Sequence, residues 1–222
     1  SKDTIIRYSK QIIRFLQTQN VKAIVIACNT ASALALDAVK DEIDIPIIGV
    51  VRPGARVAVE ATRNKKIGII GTETTVNSGM YVKLIQEIEP EAQVIGKACP
   101  LFVPLVEEGW TKDPVTEEVA RRYLADLQKS EIDTLILGCT HYPLLMEKIK
   151  QFTPPHVQII AQGEYVAHSL RNYLDRHPEM DERCSKNGIN RFFTTESKRK
   201  FEESASIFLK EENINVESIS LE

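Results

Sequence analysis

Short unbroken apolar runs, separated by stretches of helical period, constrain what this chain can fold into. Lys22 to Ala27, Pro46 to Val51, Lys66 to Gly71 and Asp133 to Gly138 are continuously apolar rather than alternating. Strands of that kind are covered on both faces and belong to parallel sheets. Weaker runs at 93–98, 157–161, 191–194 and 216–219 read the same way. Between the runs, apolar groups recur every three or four residues, as at Ile5, Tyr8, Ile12, Phe15 and Leu16. The pattern predicts helices over 3–19, 29–40, 53–62, 74–88 and 114–128, from Pro143, and over 165–176 and 197–210. Strand and helix in alternation give right-handed βαβ units, and so an α/β fold.

Composition removes several classes of function. Lys and Arg number 28 against 31 Asp and Glu, so the net charge is −3 and no basic field draws nucleic acid. The apolar runs fall short of the roughly 20 residues of a membrane helix. The first segment is amphipathic and charged, unlike a secretory signal, so a cytoplasmic setting is expected. The sequence opens on a helix at Ser1 rather than on methionine, as a fragment or a processed chain would. Its four cysteines, Cys28, Cys99, Cys139 and Cys184, show no zinc-like spacing. They are expected to be free thiols, with no bound metal.

Two of these cysteines end matching segments. Ala23-Ile24-Val25-Ile26-Ala27-Cys28-Asn29-Thr30 and Thr134-Leu135-Ile136-Leu137-Gly138-Cys139-Thr140-His141 each run from apolar residues to a cysteine, then to small polar groups. Open α/β proteins place their chemistry at the carboxyl ends of parallel strands. One thiol from each of two related lobes, facing a shared cleft, makes a pair of acid/base groups on opposite sides of one substrate. Either cysteine alone reads equally as a small buried hydrophobe. His141 stands two residues from Cys139 and can tune a thiol or relay a proton. Gly71-Thr72-Glu73-Thr74-Thr75 can hold a carboxylate through amides and hydroxyls, or be an ordinary helix cap. Glu107 and Glu108 close an apolar, proline-punctuated stretch from Pro100, and either could be the working acid. Cys99 reads as structural, Cys184, His156 and His177 as surface residues, and His168 as packed within a helix.

Taken together, five segments resemble the cofactor-independent aspartate/glutamate racemase superfamily, and within it the glutamate racemases. They are Ala27-Cys28-Asn29-Thr30-Ala31-Ser32, Gly49-Val50-Val51-Arg52-Pro53-Gly54, Gly71-Thr72, the stretch from Pro100 to Gly109, and Gly138-Cys139-Thr140-His141-Tyr142-Pro143. Their order and spacing fit over about residues 1–165. Two differences stand out. The family's Asp-Ser-Gly and Pro-Tyr-Gly motifs would precede the helix on which the sequence opens. Ala161-Gln162-Gly163-Glu164 stands where an Asp-Ser pair is usual, and is read as lying outside the reacting centre.

The resemblance implies two pseudo-symmetric α/β lobes, each a mainly parallel sheet flanked by helices, with the site in the cleft. Residues 1–50 and 165–222 would form one lobe, lacking its N-terminal strand, and 51–164 the other. It implies interconversion of L- and D-glutamate without cofactor or metal, supplying D-glutamate for peptidoglycan. Cys28 would deprotonate D-glutamate and Cys139 L-glutamate. His141 would assist Cys139, and Glu108 would tune that side or place the ammonium group. Asn29, Thr30, Thr72, Thr75 and Thr140 would hold the substrate carboxylates. A cytoplasmic homodimer is expected, with no nucleic acid or membrane partner. The alternatives are a sister enzyme acting on aspartate or another amino acid, and a catalytically incomplete binding module. Two thiols favour racemisation over decarboxylation, which needs one proton donor.

Overall fold

A computed structural model describes residues 1–209 and 214–221. In chain order the elements are α1 (Lys2–Thr18), β1 (Ile24–Ile26), α2 (Asn29–Leu34), α3 (Leu36–Val39), β2 (Ile47–Gly49), α4 (Val51–Ala61) and β3 (Lys66–Gly71). Then come α5 (Glu73–Asn77), α6 (Met80–Ile88), β4 (Gln93–Ala98), α7 (Phe102–Glu107), α8 (Pro114–Leu124) and β5 (Thr134–Gly138). The chain continues through α9 (Met146–Gln151), β6 (Gln158–Ile160), α10 (Gly163–Arg176), α11 (Pro178–Asp181), β7 (Phe192–Thr194), α12 (Lys198–Leu209) and β8 (Val216–Ser218).

The α/β architecture is as expected, with parallel sheets flanked by helices. The main sheet has four parallel strands in the order β4-β3-β5-β6. Its two inner strands come from the most continuous apolar runs. Ile67, Ile70, Leu135, Ile136 and Leu137 are all buried, each worth roughly 2 kcal/mol of transfer free energy. On one face the core closes with Phe102, Val106, Leu124, Tyr142, Leu145 and Ile149. On the other it closes with Val51, Ala55, Ala58, Tyr81, Leu84 and Ile85. Tyr142 packs edge-on to Phe102, with ring centroids 5.2 Å apart, and donates to the Cys99 carbonyl at 2.9 Å.

Two smaller parallel sheets, β1-β2 and β7-β8, stand apart from the main one. Chain-distant segments meet between them. Phe15 of α1 packs edge-on to Phe193 of β7 at 4.9 Å, and Arg191 donates to Gln19 at 2.9 Å.

Several helices differ from the periodicity. The expected helix over 29–40 divides into α2, α3 and a 3₁₀ turn at Lys40–Glu42. The one over 74–88 breaks at Gly79, whose φ of 67° is left-handed and suits glycine. The helix over 114–128 ends at Leu124, with a 3₁₀ turn at Leu127–Lys129. Pro143 enters a 3₁₀ turn, Tyr142–Leu145, before α9. The stretch after Pro100 contains a helix, α7, that periodicity did not indicate. Pro104 is its third residue, where a missing N–H breaks no helical bond, and bonding starts with Leu105 N–H to Leu101 carbonyl at 3.1 Å. The expected end of the helix over 197–210, at Lys210, lies outside the described residues.

Candidate active site

The ends of β3 and β5 set the height of the site. Gly71 and Gly138 are direct partners in the sheet register. A Cβ at Gly138 would meet the Ile70 carbonyl oxygen at 2.8 Å, so the close approach requires glycine there. Thr72 follows one partner and Cys139 the other, which brings a hydroxyl and a thiol to one end of the sheet.

Cys139 is 8% exposed. Burial raises its thiol pKa, and the nearby charge of Cys28 raises it further. The backbone N–H groups of His141 and Tyr142 and the Thr140 hydroxyl pull the other way without cancelling the rise. Asn29, the residue after Cys28, lines the cavity that Cys139 lines, whereas Cys28 itself does not. His141 Nδ1 lies 3.9 Å from Cys139 Sγ and 3.3 Å from Thr140 Oγ1. Its Nε2 meets Glu107 Oε1 at 2.5 Å. Thiol, imidazole and carboxylate therefore form one chain. The acid in it is Glu107. Glu108, the expected residue, is exposed at the C-terminal end of α7. Successive residues of a helix point about 100° apart, so one of two adjacent acids faces His141 and the other does not.

Cys28 is exposed and serves as the N-cap of α2. Ser32 ties that helix to the last residue of β1 and to the residue that follows β2. Its hydroxyl donates to the Ile26 carbonyl at 2.7 Å and accepts from the Val50 N–H at 3.1 Å. Thr30, Thr72 and Thr75 form a triangle of hydroxyls, with oxygens 2.9 to 3.0 Å apart. Thr72 also caps α5 by accepting from Thr75 N–H, so the capping and ligand-holding readings of this turn meet in one residue. Asn29 is 3% exposed, and its Oδ1 accepts from Tyr81 at 2.6 Å. The Tyr81 oxygen in turn accepts from Gln162 Nε2.

A cavity of about 390 Å³ is lined by Asn29, Cys139, Thr140 and Gln162, with Val25 and Ala27 from the β1 segment. A second cavity, about 470 Å³, backs onto Glu107 and His141 and is walled by α12. Of the predicted residues, Asn29, Cys139 and Thr140 share the first cavity, and His141 adjoins them. Thr30, Thr72 and Thr75 form their own cluster beside α2. Ser32, Tyr81, Glu107 and Gln162 complete the network. Glu107 is one of the two acids the sequence offers, and Gln162, expected outside the centre, borders the same cavity as Cys139. Ser32 closes the segment that begins at Ala27, with no role indicated by it, and Tyr81 carries no motif signal.

The remaining candidates settle simply. Cys99 is fully buried, which pushes its thiol up to about 12. Cys184 is half-buried rather than exposed, its thiol donating to the Met180 carbonyl at 3.4 Å. His168 is exposed on α10, not packed. Among the described residues, no group of three or more His, Cys, Asp or Glu is placed to hold a metal, and no helix is long and apolar enough to cross a membrane.

With this geometry in place, comparison with known proteins is decisive. Residues 3–169 match the family model described as Asp/Glu/Hydantoin racemase. The chain belongs to that racemase family. A glutamate racemase of Geobacter metallireducens is 42% identical over 222 residues, all of this chain and 82% of the relative. One of Aquifex pyrophilus is 51% identical over 174 residues, covering 78% of this chain and 67% of the relative. Among solved racemases of the family, a glutamate racemase isoform from Bacillus anthracis superposes with a TM-score of 0.92 at 37% identity, covering 100% of this chain and 82% of that one. A Francisella tularensis glutamate racemase in complex with D-glutamate gives 0.91 at 34% identity, with the same coverage. In this racemase the segments carrying the sequence resemblance lie at the ends of parallel strands, as that family's pattern implies.

Proposed function

We propose that this chain interconverts L- and D-glutamate by a two-base mechanism with Cys28 and Cys139 as the bases. Inverting a stereocentre needs a base on one face of Cα and an acid on the other. Starting from D-glutamate, the Cys28 thiolate takes the Cα proton. The Cys139 thiol gives its proton to the opposite face, leaving L-glutamate, a Cys28 thiol and a Cys139 thiolate. The reverse reaction exchanges the roles. The observation that supports this most is the chain from Cys139 through His141 to Glu107, beside a cavity that Cys139 and Thr140 share with Asn29, the neighbour of Cys28.

In this reading His141 accepts the Cys139 proton when that residue must act as base, and Glu107 steadies the imidazolium. Glu107 thus takes the part expected of Glu108. Burial keeps Cys139 a thiol, the form needed to donate. Asn29, Thr30, Thr72, Thr75 and Thr140 supply donors for the substrate carboxylates and for charge developing at the α-carboxyl group. The reading includes two lobes, 1–50 with 165–222 and 51–164, a homodimer, and a role in supplying D-glutamate to peptidoglycan synthesis. Glutamate racemases 42 to 50% identical to this chain support glutamate as the substrate. Likeness to aspartate racemases is at about fold level, as with the Picrophilus torridus protein at 19% identity.

The test is exchange at Cα in D₂O, followed by NMR on each enantiomer of glutamate without added cofactor. Deuterium uptake with inversion is expected. Bound glutamate with no exchange would instead make the chain a binding module, and exchange with aspartate alone would move it to a sister enzyme.

A further inference from the structure

Gln162, Tyr81 and Asn29 form a directional relay. Gln162 is 6% exposed, Tyr81 2% and Asn29 3%. They come from three separate segments: the turn before α10, α6 and the start of α2. Gly54 of α4 leaves the space that the Gln162 amide fills, since a Cβ there would run into it. A phenol carries one hydrogen. Because Gln162 donates its N–H to the Tyr81 oxygen, that hydrogen goes on to Asn29 Oδ1 at 2.6 Å. The Asn29 amide is thereby oriented with its oxygen engaged by Tyr81. Its NH₂ group is left for the cavity that Asn29, Gln162 and Cys139 share. Reversed, the same relay would run from Asn29 N–H through Tyr81 to a Gln162 acceptor and turn the Asn29 oxygen into the cavity.

We infer that Tyr81 and Gln162 are positioning residues, whose relay presents Asn29 to the substrate as a donor and so selects a carboxylate there. This rests on the proposed racemase reading, in which Asn29 holds a substrate carboxylate. The chemistry points the same way. An anionic ligand finds a hydrogen-bond donor with the relay in the observed direction, and a lone pair with the relay reversed. Gln162 is then tied to the site through hydrogen bonding, although the sequence places it where the family pattern changes.

Gln162→Glu tests the direction. A carboxylate can only accept, so Tyr81 must turn its hydrogen toward it, and Asn29 must then donate to Tyr81. KM for glutamate should rise by roughly tenfold to a hundredfold with kcat little changed, the mark of lost uniform binding. Gln162→Met, which leaves Tyr81 free to donate to Asn29, should move KM by less than about threefold. The added negative charge is separated from the relay by repeating Gln162→Glu in a Tyr81→Phe background. Charge alone acts equally in both backgrounds, whereas a relay effect disappears without the hydroxyl. An equal KM penalty in both backgrounds overturns the inference, as does a larger effect of Met than of Glu.

Asn29→Ala separates this failure from that of the wider reading. If KM is unmoved in Asn29→Ala, Asn29 holds no carboxylate and both fall. If KM rises there but not in Gln162→Glu, only the relay falls. Calorimetric Kd for D-glutamate gives the same comparison without turnover. Should Gln162→Glu fail to fold, Tyr81→Phe carries the test. It should weaken glutamate binding several-fold when Asn29 is present and not when it is Ala, and equal weakening in both rejects the relay.

Discussion

Cys28 is open to water while Cys139 is buried with its pKa pushed up. Since the thiolate is the nucleophile, the two should differ sharply toward an alkylating agent. Limited iodoacetamide treatment, followed by peptide mass spectrometry, should label Cys28 well before Cys139 and leave Cys99 to last. Equal labelling of Cys28 and Cys139 would contradict the burial difference. Cys28→Ser and Cys139→Ser should each lower racemisation by at least roughly 10²-fold, since each would remove one acid/base group of the proposed mechanism. His141→Ala should have a loss of similar order. Enantiomers are equally stable, so kcat/KM must fall by the same factor in both directions. The asymmetry should show instead as a larger Cα-deuterium isotope effect starting from L-glutamate, the direction in which the proposed mechanism makes Cys139 the base. Glu107→Gln should lower kcat by roughly tenfold or more, and Glu108→Gln by less than about twofold. The reverse ranking would restore Glu108 to the role the sequence suggested.

The join of α4 to β3 turns on a carboxylate. Asp133, just before β5, accepts from Thr62 Oγ1 at 2.6 Å, from the backbone N–H of Arg63 at 2.7 Å and Asn64 at 2.8 Å, and from Thr134 Oγ1 at 3.0 Å. Burial would raise its pKa, but those donors hold it below the usual aspartate value. A depressed folded-state pKa adds stability above the unfolded value, roughly 3.9, and that stability is lost as pH falls through the folded value. Asp133→Asn should therefore cost about 2 kcal/mol at neutral pH and flatten the acid limb of a denaturation profile. No change in either would remove Asp133 as an anchor. Strands of this fold were legible because burial on both faces leaves unbroken apolar runs. Helix breaks were not, because a left-handed Gly79 and the short steps after Leu34 and Leu124 leave the apolar period almost intact. Helix α7 hid behind Pro100 and Pro104, which read as loop until Pro104 is counted inside the first turn. At the site, the cysteines, His141 and the threonines were legible because they follow strand ends. Tyr81 and Gln162 were not, because each matters through partners far away in the chain.

Stability should be uneven across the molecule. The four-stranded sheet carries two large cores, one on each face. Among the described residues, the clusters under β1-β2 and β7-β8 have three buried residues each, Ile13, Ile24 and Val39 in one and Ala205, Ile214 and Val216 in the other. Amide hydrogen exchange should protect β3 and β5 most and release β1, β2, β7 and β8 by lower-energy openings. Uniform protection would mean the three sheets unfold as one unit. The paired glycines at the ends of β3 and β5 bear on how such a chain can change length. Side chains alternate along a strand, so one residue inserted or deleted within 134–138 would send Cys139 to the opposite face of the sheet. The same change in the turn between Gly109 and Asp113 leaves that alternation alone. Surface connections can therefore change length more readily than β3 and β5, whose paired terminal glycines fix where Cys139 falls.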